Sequence, residues 1–338
     1  MKKTIFTSAL LSLIMLSCSD DKNNSSTTEL NRSANKDFKL LTTSNTSSRV
    51  SVTDLNTSTT NSFAIASIDA EGANYDAESD SFILVSRTNN RVETYDGVSN
   101  AVAINASSLT LSQTSTSDFN NAREIAVSGD KIIVTQDQNA ANGNTNKLLV
   151  YQRSSTGISL INSYNVNFKT WGIHIEGTTL FGVADLTGDL VVFENFFNNL
   201  NGAILPTKRV TIEGLTRTHG ITYSSRSNTM VLSDVASAAS ATDGGIIIIK
   251  GFTDVLVATP NMGTIAMNKQ IRIYGLASTL GNPVDVAYDN FTKQIFVAER
   301  LNGGGKVLTF DLPKSSGDYT PTNSRAEAGV TSVFLIRE

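Results

Sequence analysis

PVDVAYDNFTKQIFVAERLNGGGKVLTFDL, residues Pro283–Leu312, reads as strand, turn, strand, loop, strand. The apolar VDVAYD suits a buried inner strand, NFTK turns the chain, and QIFVAER runs back. NGGG turns it again, and KVLTFDL closes the set. The same phrase recurs in Gly72–Gly97, Arg123–Arg153, Trp171–Asn195 and His219–Gly251. Except for a longer last gap of about 64, the copies follow one another at roughly fifty residues, a period that suits four-stranded propeller blades. Ala101–Asn105, Leu160–Val166, Lys208–Ile212 and Lys269–Tyr274 are candidate fourth strands.

A sixth copy is split between the ends. Phe38–Leu55 supplies a second and a third strand, and Gly329–Arg337 is a lone strand that would complete the set. Joining them closes a ring and removes its exposed edges. The expectation is an all-β chain, a six-bladed β-propeller of four-stranded antiparallel blades spanning residues 38–338. Leu312–Ala328 offers no clear outer strand for the last full copy. The long Phe252–Gly281 segment has room for part of a seventh blade. No segment sustains the 3.6-residue apolar period of a helical bundle.

The 338 residues are 40% hydrophobic and 17% charged, with a formal net charge of −4. No basic tract exists, so nucleic acid is not an expected partner, because counterion release needs clustered Lys and Arg. Residues 1–17 read as a signal peptide. Lys2 and Lys3 precede the apolar run Ile5–Leu16, which is too short for a permanent span. Cys18 is the only cysteine, which excludes an intrachain disulfide. Residues 18–37 are polar, with little to bury, and read as a flexible tether. Met15-Leu16-Ser17-Cys18 resembles the end of a bacterial lipoprotein signal, which implies cleavage before Cys18, acylation of its thiol and a lipid anchor in a membrane. Ser19-Asp20-Asp21-Lys22 resembles an export run, which implies an outer-membrane lipoprotein facing the cell surface or the periplasm.

The segments GITYSSRSNTMVLSD, GIHIEGTTLFGVAD and VDVAYDNFTKQIFVAER resemble blades of NHL-type and lactonase-type propellers. The resemblance covers Phe38 to the C-terminus and implies the fold. Such propellers include enzymes, scaffolds and ligand binders, so function must come from the site.

In a propeller, the loops entering the inner strands and those leaving the second strands open on one face, where function is expected. The repeat register puts Glu71, Arg123, Trp171, His219 and Val284 at the first position. Arg87, Asp137, Asp185, Asp234 and Arg300 fall at the second. All ten are expected to point into a central funnel, overhung by the insertions Gln138–Asn146 and Val235–Gly245. Two functions follow. The first is a module that binds a small molecule or protein partner at this face, with Trp171 available to stack on a sugar. The second rests on resemblance to gluconolactonase-like propellers, and implies a metal-dependent hydrolase or lactonase. Asp234 and His219, with Asp185 and Glu71, would then hold a divalent cation. Calcium suits oxygen ligands, and zinc suits a site that includes histidine. Arg123 or Arg300 would orient an anionic group. His174 lies within an inner strand, where alternation allows it to face either the tunnel or the core. No Gly-x-Ser-x-Gly elbow, cysteine nucleophile or phosphate loop is present.

Overall fold

The computed structural model describes residues 37–337. The signal peptide, Cys18 and all of the tether but Asp37 lie outside them. The described chain forms six sheets, each contributing an inner strand to one axis. Blade 1 is assembled from both ends, as the split copy requires. Its inner strand is Val330–Arg337, followed outward by Phe38–Ser44, Arg49–Asp54 and Thr59–Ala64. The terminal strands pair from Phe38 opposite Arg337 to Ser44 opposite Val330.

The remaining blades run from axis to rim in chain order. Blade 2 is Ala70–Asp76, Ser81–Ser86, Arg91–Asp96 and Thr110–Thr114. Blade 3 is Ala122–Ser128, Lys131–Gln136, Lys147–Ser154 and Gly157–Asn165. Blade 4 is Thr170–Glu176, Thr179–Ala184, Asp189–Phe193 and Lys208–Ile212. Blade 5 is Thr218–Ser224, Thr229–Asp234, Gly245–Lys250 and Ile271–Tyr274. Blade 6 is Pro283–Asp289, Gln294–Glu299, Lys306–Asp311 and Asn323–Ala326.

Alternation along each strand sends apolar side chains to both faces of a blade, so the core is divided between neighbouring blades. There are six such clusters, one for each interface. Blades 4 and 5, for example, share Phe181, Leu190, Ile221, Met230, Ile247 and Phe252. Six interfaces close a ring of six blades.

Three local expectations change. Ala101–Asn105 is not an outer strand: Val98–Ala103 is a short helix that buries Val98 and Ala101 one turn apart. The outer strand of blade 2 is the more exposed Thr110–Thr114. Phe252–Gly281 holds no seventh blade. It forms the helix Phe252–Ala258, whose Phe252 enters the core, and then Thr264–Ile265 pairs in parallel with the edge of blade 4. Gly202–Ala203 covers the edge of blade 3 in the same way, so these two blades carry a fifth, two-residue strand. Such caps block edge-to-edge pairing with other chains. The outer strand of blade 6 is Asn323–Ala326, polar and largely exposed, hence without an apolar signature.

The inner strands of blades 2 to 6 all break register near their start. These β-bulges, which locally re-aim side chains, create two aligned positions. The first is Glu71, Arg123, Trp171, His219 and Val284, the set read from the repeats. The second is Gly72, Glu124, Gly172, Gly220 and Asp285. Glycine at the second position lets the next strand close in. A Cβ on Gly220 would lie 2.7 Å from the Cα of Asp285. Beyond the bulges, the inner strands enclose an axial cavity of about 490 Å³.

Candidate functional site

Backbone bonds fix the site's geometry before any side chain is considered. The N–H groups of Arg87, Asp137, Asp185, Val235 and Arg300 donate to the carbonyls of Asp69, Asn121, Lys169, Arg217 and Asn282 respectively. In every blade the residue after the second strand is thereby clipped to the residue two places before the bulge. Three side chains per blade converge at the mouth: the clipped pair and the first bulge residue.

The result is a ribbon of alternating charge across blades 2 to 5. The Arg87 guanidinium lies 3.2 Å from Asp69 and 3.4 Å from Glu71, and it donates to Asn121 Oδ1 at 3.0 Å. Arg123 reaches Asp137 at 3.3 Å. Lys169 Nζ is suspended between Asp137, at 3.7 Å, and Asp185, at 3.5 Å. Asp185 Oδ1 lies 3.1 Å from both Arg217 Nε and His219 Nε2. Asp137 Oδ1 and Asp185 Oδ2, the oxygens turned toward Lys169, are buried without a hydrogen bond.

Trp171 cannot offer a free face to a sugar. Its indole is stacked on His219 at 3.5 Å with an interplanar angle of 4°, and the Arg123 guanidinium sits 4.1 Å from the ring centroid. A cation over an indole face is attractive, so the three side chains form one pile spanning blades 3 to 5. His219 at its base is buried, and its Nδ1 has no partner. The indole is therefore taken up by packed side chains.

Burial and neighbouring charges set the titration of these groups. Burial pushes the Glu71 carboxyl up to about 7, against the pull of Arg87, Arg123 and Arg300. Burial lowers His219 to about 4, although Asp185 opposes this, so the imidazole is neutral at pH 7. Burial also works against the charge on Asp185, but the His219 hydrogen bond and the Arg217 guanidinium hold it well below the carboxylate range. Two further buried acids, Asp285 and Glu124, are raised chiefly by burial, Asp285 to about 7.

A pH dependence of stability follows by proton linkage. The folded chain keeps protons on Glu71, Asp285 and Glu124 that the unfolded chain releases. Their contribution is complete below the ordinary carboxyl range and is lost as pH rises, through about 7 for Glu71 and Asp285 and through a raised value for Glu124. His219 works in the opposite sense: its contribution is complete above 6.5 and is lost as pH falls through about 4. Three acids outweigh one histidine. The thermal midpoint should therefore fall by several degrees between pH ~5 and pH ~8, and Glu71→Gln should shallow that slope. A midpoint that rises over this range would contradict the assignment.

Asp234 does not join the ribbon. It stands one residue out of register with Asp137 and Asp185, and Val235 occupies the equivalent place. Asp234 pairs with Thr218 and Gly245 within the sheet. Its carboxylate accepts from the N–H groups of Arg217 and Ala236 and from the Tyr274 hydroxyl, at 2.9, 3.2 and 3.0 Å. Glu299, its equivalent in blade 6, accepts from the N–H groups of Gly281 and Asn282 in the same manner. A one-residue slip turns a side chain to the other face of a strand, and here it converts a ligand candidate into a loop clasp.

The expected quartet of metal ligands does not assemble. Glu71 is engaged by Arg87 and Asp185 by Arg217, while Asp234 is held in its clasp. Among the described residues, no three His, Cys, Asp or Glu side chains come together to hold a metal. Arg300 lies close enough to Glu71 to lower its pKa. Val284 is buried and adds no chemistry. His174 faces the tunnel and lines the axial cavity.

The reading from sequence missed Lys169 and Arg217, and also Glu124 and Asp285. The signal was present in both cases. Lys169 and Arg217 stand two residues before Trp171 and His219, and the two acids occupy the position where three blades have glycine.

No family model matches the chain, and no curated protein sequence matches it. Solved structures do. A putative 6-phosphogluconolactonase from Bacteroides fragilis superposes with a TM-score of 0.57 at 12% identity, covering 93% of this chain and 100% of that one. Another, from Bacteroides uniformis, gives 0.56 at 12% identity over 85% and 82% of the two chains. A chain of a nidogen/laminin complex gives 0.59 at 12% identity over 88% and 98%. At such identities the likeness concerns the fold alone: the chain is similar to these proteins as a six-bladed β-propeller.

Proposed function

We propose that this chain is a lipid-anchored, extracytoplasmic propeller that binds a small polyhydroxylated ligand at the charged mouth of the ring without transforming it. Lys169 carries the reading. It stands 3.5 and 3.7 Å from two carboxylates whose facing oxygens lack hydrogen bonds. A buried acceptor left unbonded costs roughly 1–3 kcal/mol, so the arrangement favours a guest that completes it. A hydroxyl can donate to a carboxylate while accepting from lysine. Adjacent hydroxyls match the alternation Asp137, Lys169, Asp185, Arg217. A strong anion fits less well, because the four acids Asp69, Glu71, Asp137 and Asp185 nearly balance the five cations Arg87, Arg123, Lys169, Arg217 and Arg300. The Met1–Cys18 signal supports the anchor.

The hydrolase reading has less support. The lactonase likeness is one of fold, and no three His, Cys, Asp or Glu among the described residues come together to hold a metal.

The test has two arms. Calorimetry with a panel of monosaccharides and aldonolactones should find a binder whose affinity drops about tenfold in Lys169→Met, the loss expected of one charge-assisted contact. Membrane fractionation should find the chain lipidated, and Cys18→Ser should release it. Absence of any binder, or equal binding by Lys169→Met, would sink the mouth-site reading. Lactone turnover abolished by His219→Asn would install the hydrolase instead.

A further inference from the structure

We propose that the cavity in the other half of the axial channel binds a small organic cation, with an ammonium head placed between Glu124 and Asp285 and an apolar stem along the strand walls. The site is separate from the mouth and does not depend on the reading given to it.

The two acids reach the axis from blades 3 and 6, which face each other across a ring of six. Both line the cavity. They are 8% and 7% exposed, so water does little to solvate them. Asp285 is hydrogen-bonded on both oxygens, by the N–H groups of Val286 and Val333, each at 2.8 Å. Glu124 is not. Its Oε1 accepts from Ile125 N–H at 2.9 Å, and no hydrogen bond from a described residue reaches its Oε2. A carboxyl more than nine-tenths buried therefore presents an unbonded oxygen to an enclosed space.

Among the described residues, no arginine or lysine compensates the pair. The charges that act on them are one another and Glu71, all acidic. The mouth is different, because Arg87, Arg123 and Arg300 all act on Glu71. Of the other ionisable groups lining the cavity, Asp76 is paired with Arg153, His174 lies 3.9 Å from Glu176 and edge-on to the Tyr223 ring, and Tyr75 and Tyr288 bring phenol hydroxyls. An uncompensated acidic floor attracts a positive charge.

The walls choose between kinds of cation. Ile125, Ile173, Ile221, Val286, Val333 and Leu335 line the cavity and offer no side-chain ligand to a metal. Among the described residues, no third His, Cys, Asp or Glu completes a metal-holding group. The volume of about 490 Å³ falls within the roughly 300–1,000 Å³ typical of small-molecule pockets. Walls that are partly aliphatic, beside polar Asn74 and Thr222, with a carboxyl floor fit an amine that carries a short hydrocarbon body.

The test is calorimetric titration of the folded protein with n-butylammonium chloride, n-butanol and calcium chloride, at pH ~6 and pH ~8. The expected result is binding of butylammonium alone, about tenfold tighter at the higher pH, where Asp285, raised to about 7, has shed its proton. Binding should release protons, measurable as a dependence on buffer ionisation heat. Glu124→Gln keeps the acceptor for Ile125 N–H and the shape of the side chain, and it should weaken binding at least tenfold. Circular dichroism would verify its fold, and the pH and proton-release readouts on the natural chain do not rely on the variant. Equal binding of butanol, no binding of butylammonium at tens of millimolar, or calcium binding unaffected by butylammonium would each overturn the proposal.

Discussion

A chain ended at Gly329 should fail to form the cooperative ring. The lost strand, Val330–Arg337, is the inner strand of blade 1, and it is paired with Phe38–Ser44 along its length. Val330, Val333 and Ile336 are buried in it. Burial of each such side chain is worth about 1.5–3 kcal/mol. Removal also leaves the Ala70 carbonyl without the Thr331 hydroxyl that donates to it at 2.7 Å, and Asp285 without the Val333 N–H. Apolar losses of several kcal/mol and two orphaned buried acceptors together approach the whole stability of an ordinary domain, about 5–15 kcal/mol. Phe38–Ser44 becomes an open edge as well, which invites association. The expected outcome is loss of the single thermal transition and growth of aggregates by light scattering. A peptide of residues 330–337 supplied in excess should restore part of the transition. A truncated chain that melts cooperatively within a few degrees of the full chain would show that the closure is dispensable.

That closure was legible in the sequence, and the reason is physical. GVTSVFLIR and FKLLTTS are apolar, β-branched and short; the first lacks a neighbour in sequence with which to pair, and the second has one on its C-terminal side only. The middle blades were legible because their inner and second strands are buried on both faces and spell continuous apolar runs. Three outer strands were legible too, since Leu160–Val166, Lys208–Ile212 and Lys269–Tyr274 overlap the strands Gly157–Asn165, Lys208–Ile212 and Ile271–Tyr274, but those of blades 2 and 6 were not, because an outer strand touches one neighbour only. Asn323–Ala326 is polar and exposed, whereas Ala101–Asn105 is apolar enough to pass for a strand although its first residues end a helix. The site was legible by column and misread by one residue. His219, Trp171 and Arg123 lie where the repeat put them, but they pack against one another and leave no indole face for a ligand. Asp234 looked equivalent to Asp185 because both follow an apolar strand. Only the backbone clip, Val235 N–H to Arg217 carbonyl, shows that they differ. The alternation of glycine with two acids behind those residues is visible once the bulges are known, since a bulge breaks the period on which sequence reading depends.

Gly172→Ala tests the close packing that those glycines permit, and it should be among the most damaging single-methyl changes at the described residues. A Cβ at this position would fall onto the carbonyl oxygen of His219 in the next inner strand, with Ile221 Cγ2 only 3.1 Å away. The obstacle is backbone, so no rotamer change relieves it. The inner strands of blades 4 and 5 would have to separate. His219 would then draw away from the indole stacked on it at 3.5 Å. Overpacking a rigid site costs typically 1–3 kcal/mol and occasionally more, and this geometry argues for the upper end, about 3 kcal/mol. At about 2–4 °C per kcal/mol for a large domain, the midpoint should fall by roughly 6–12 °C. Gly129→Ala is the informative comparison. Its φ of +59° is unfavourable for alanine, but nothing lies within 4 Å of the added carbon. Its cost should be the conformational one alone, about 1–2 kcal/mol. Trp171 is the only tryptophan, so its fluorescence reports the pile directly. Gly172→Ala should change the emission of the folded protein, and Gly129→Ala should not. Equal midpoints for the two variants, with unchanged emission in both, would mean that the mouth residues are not held by contact between the inner strands.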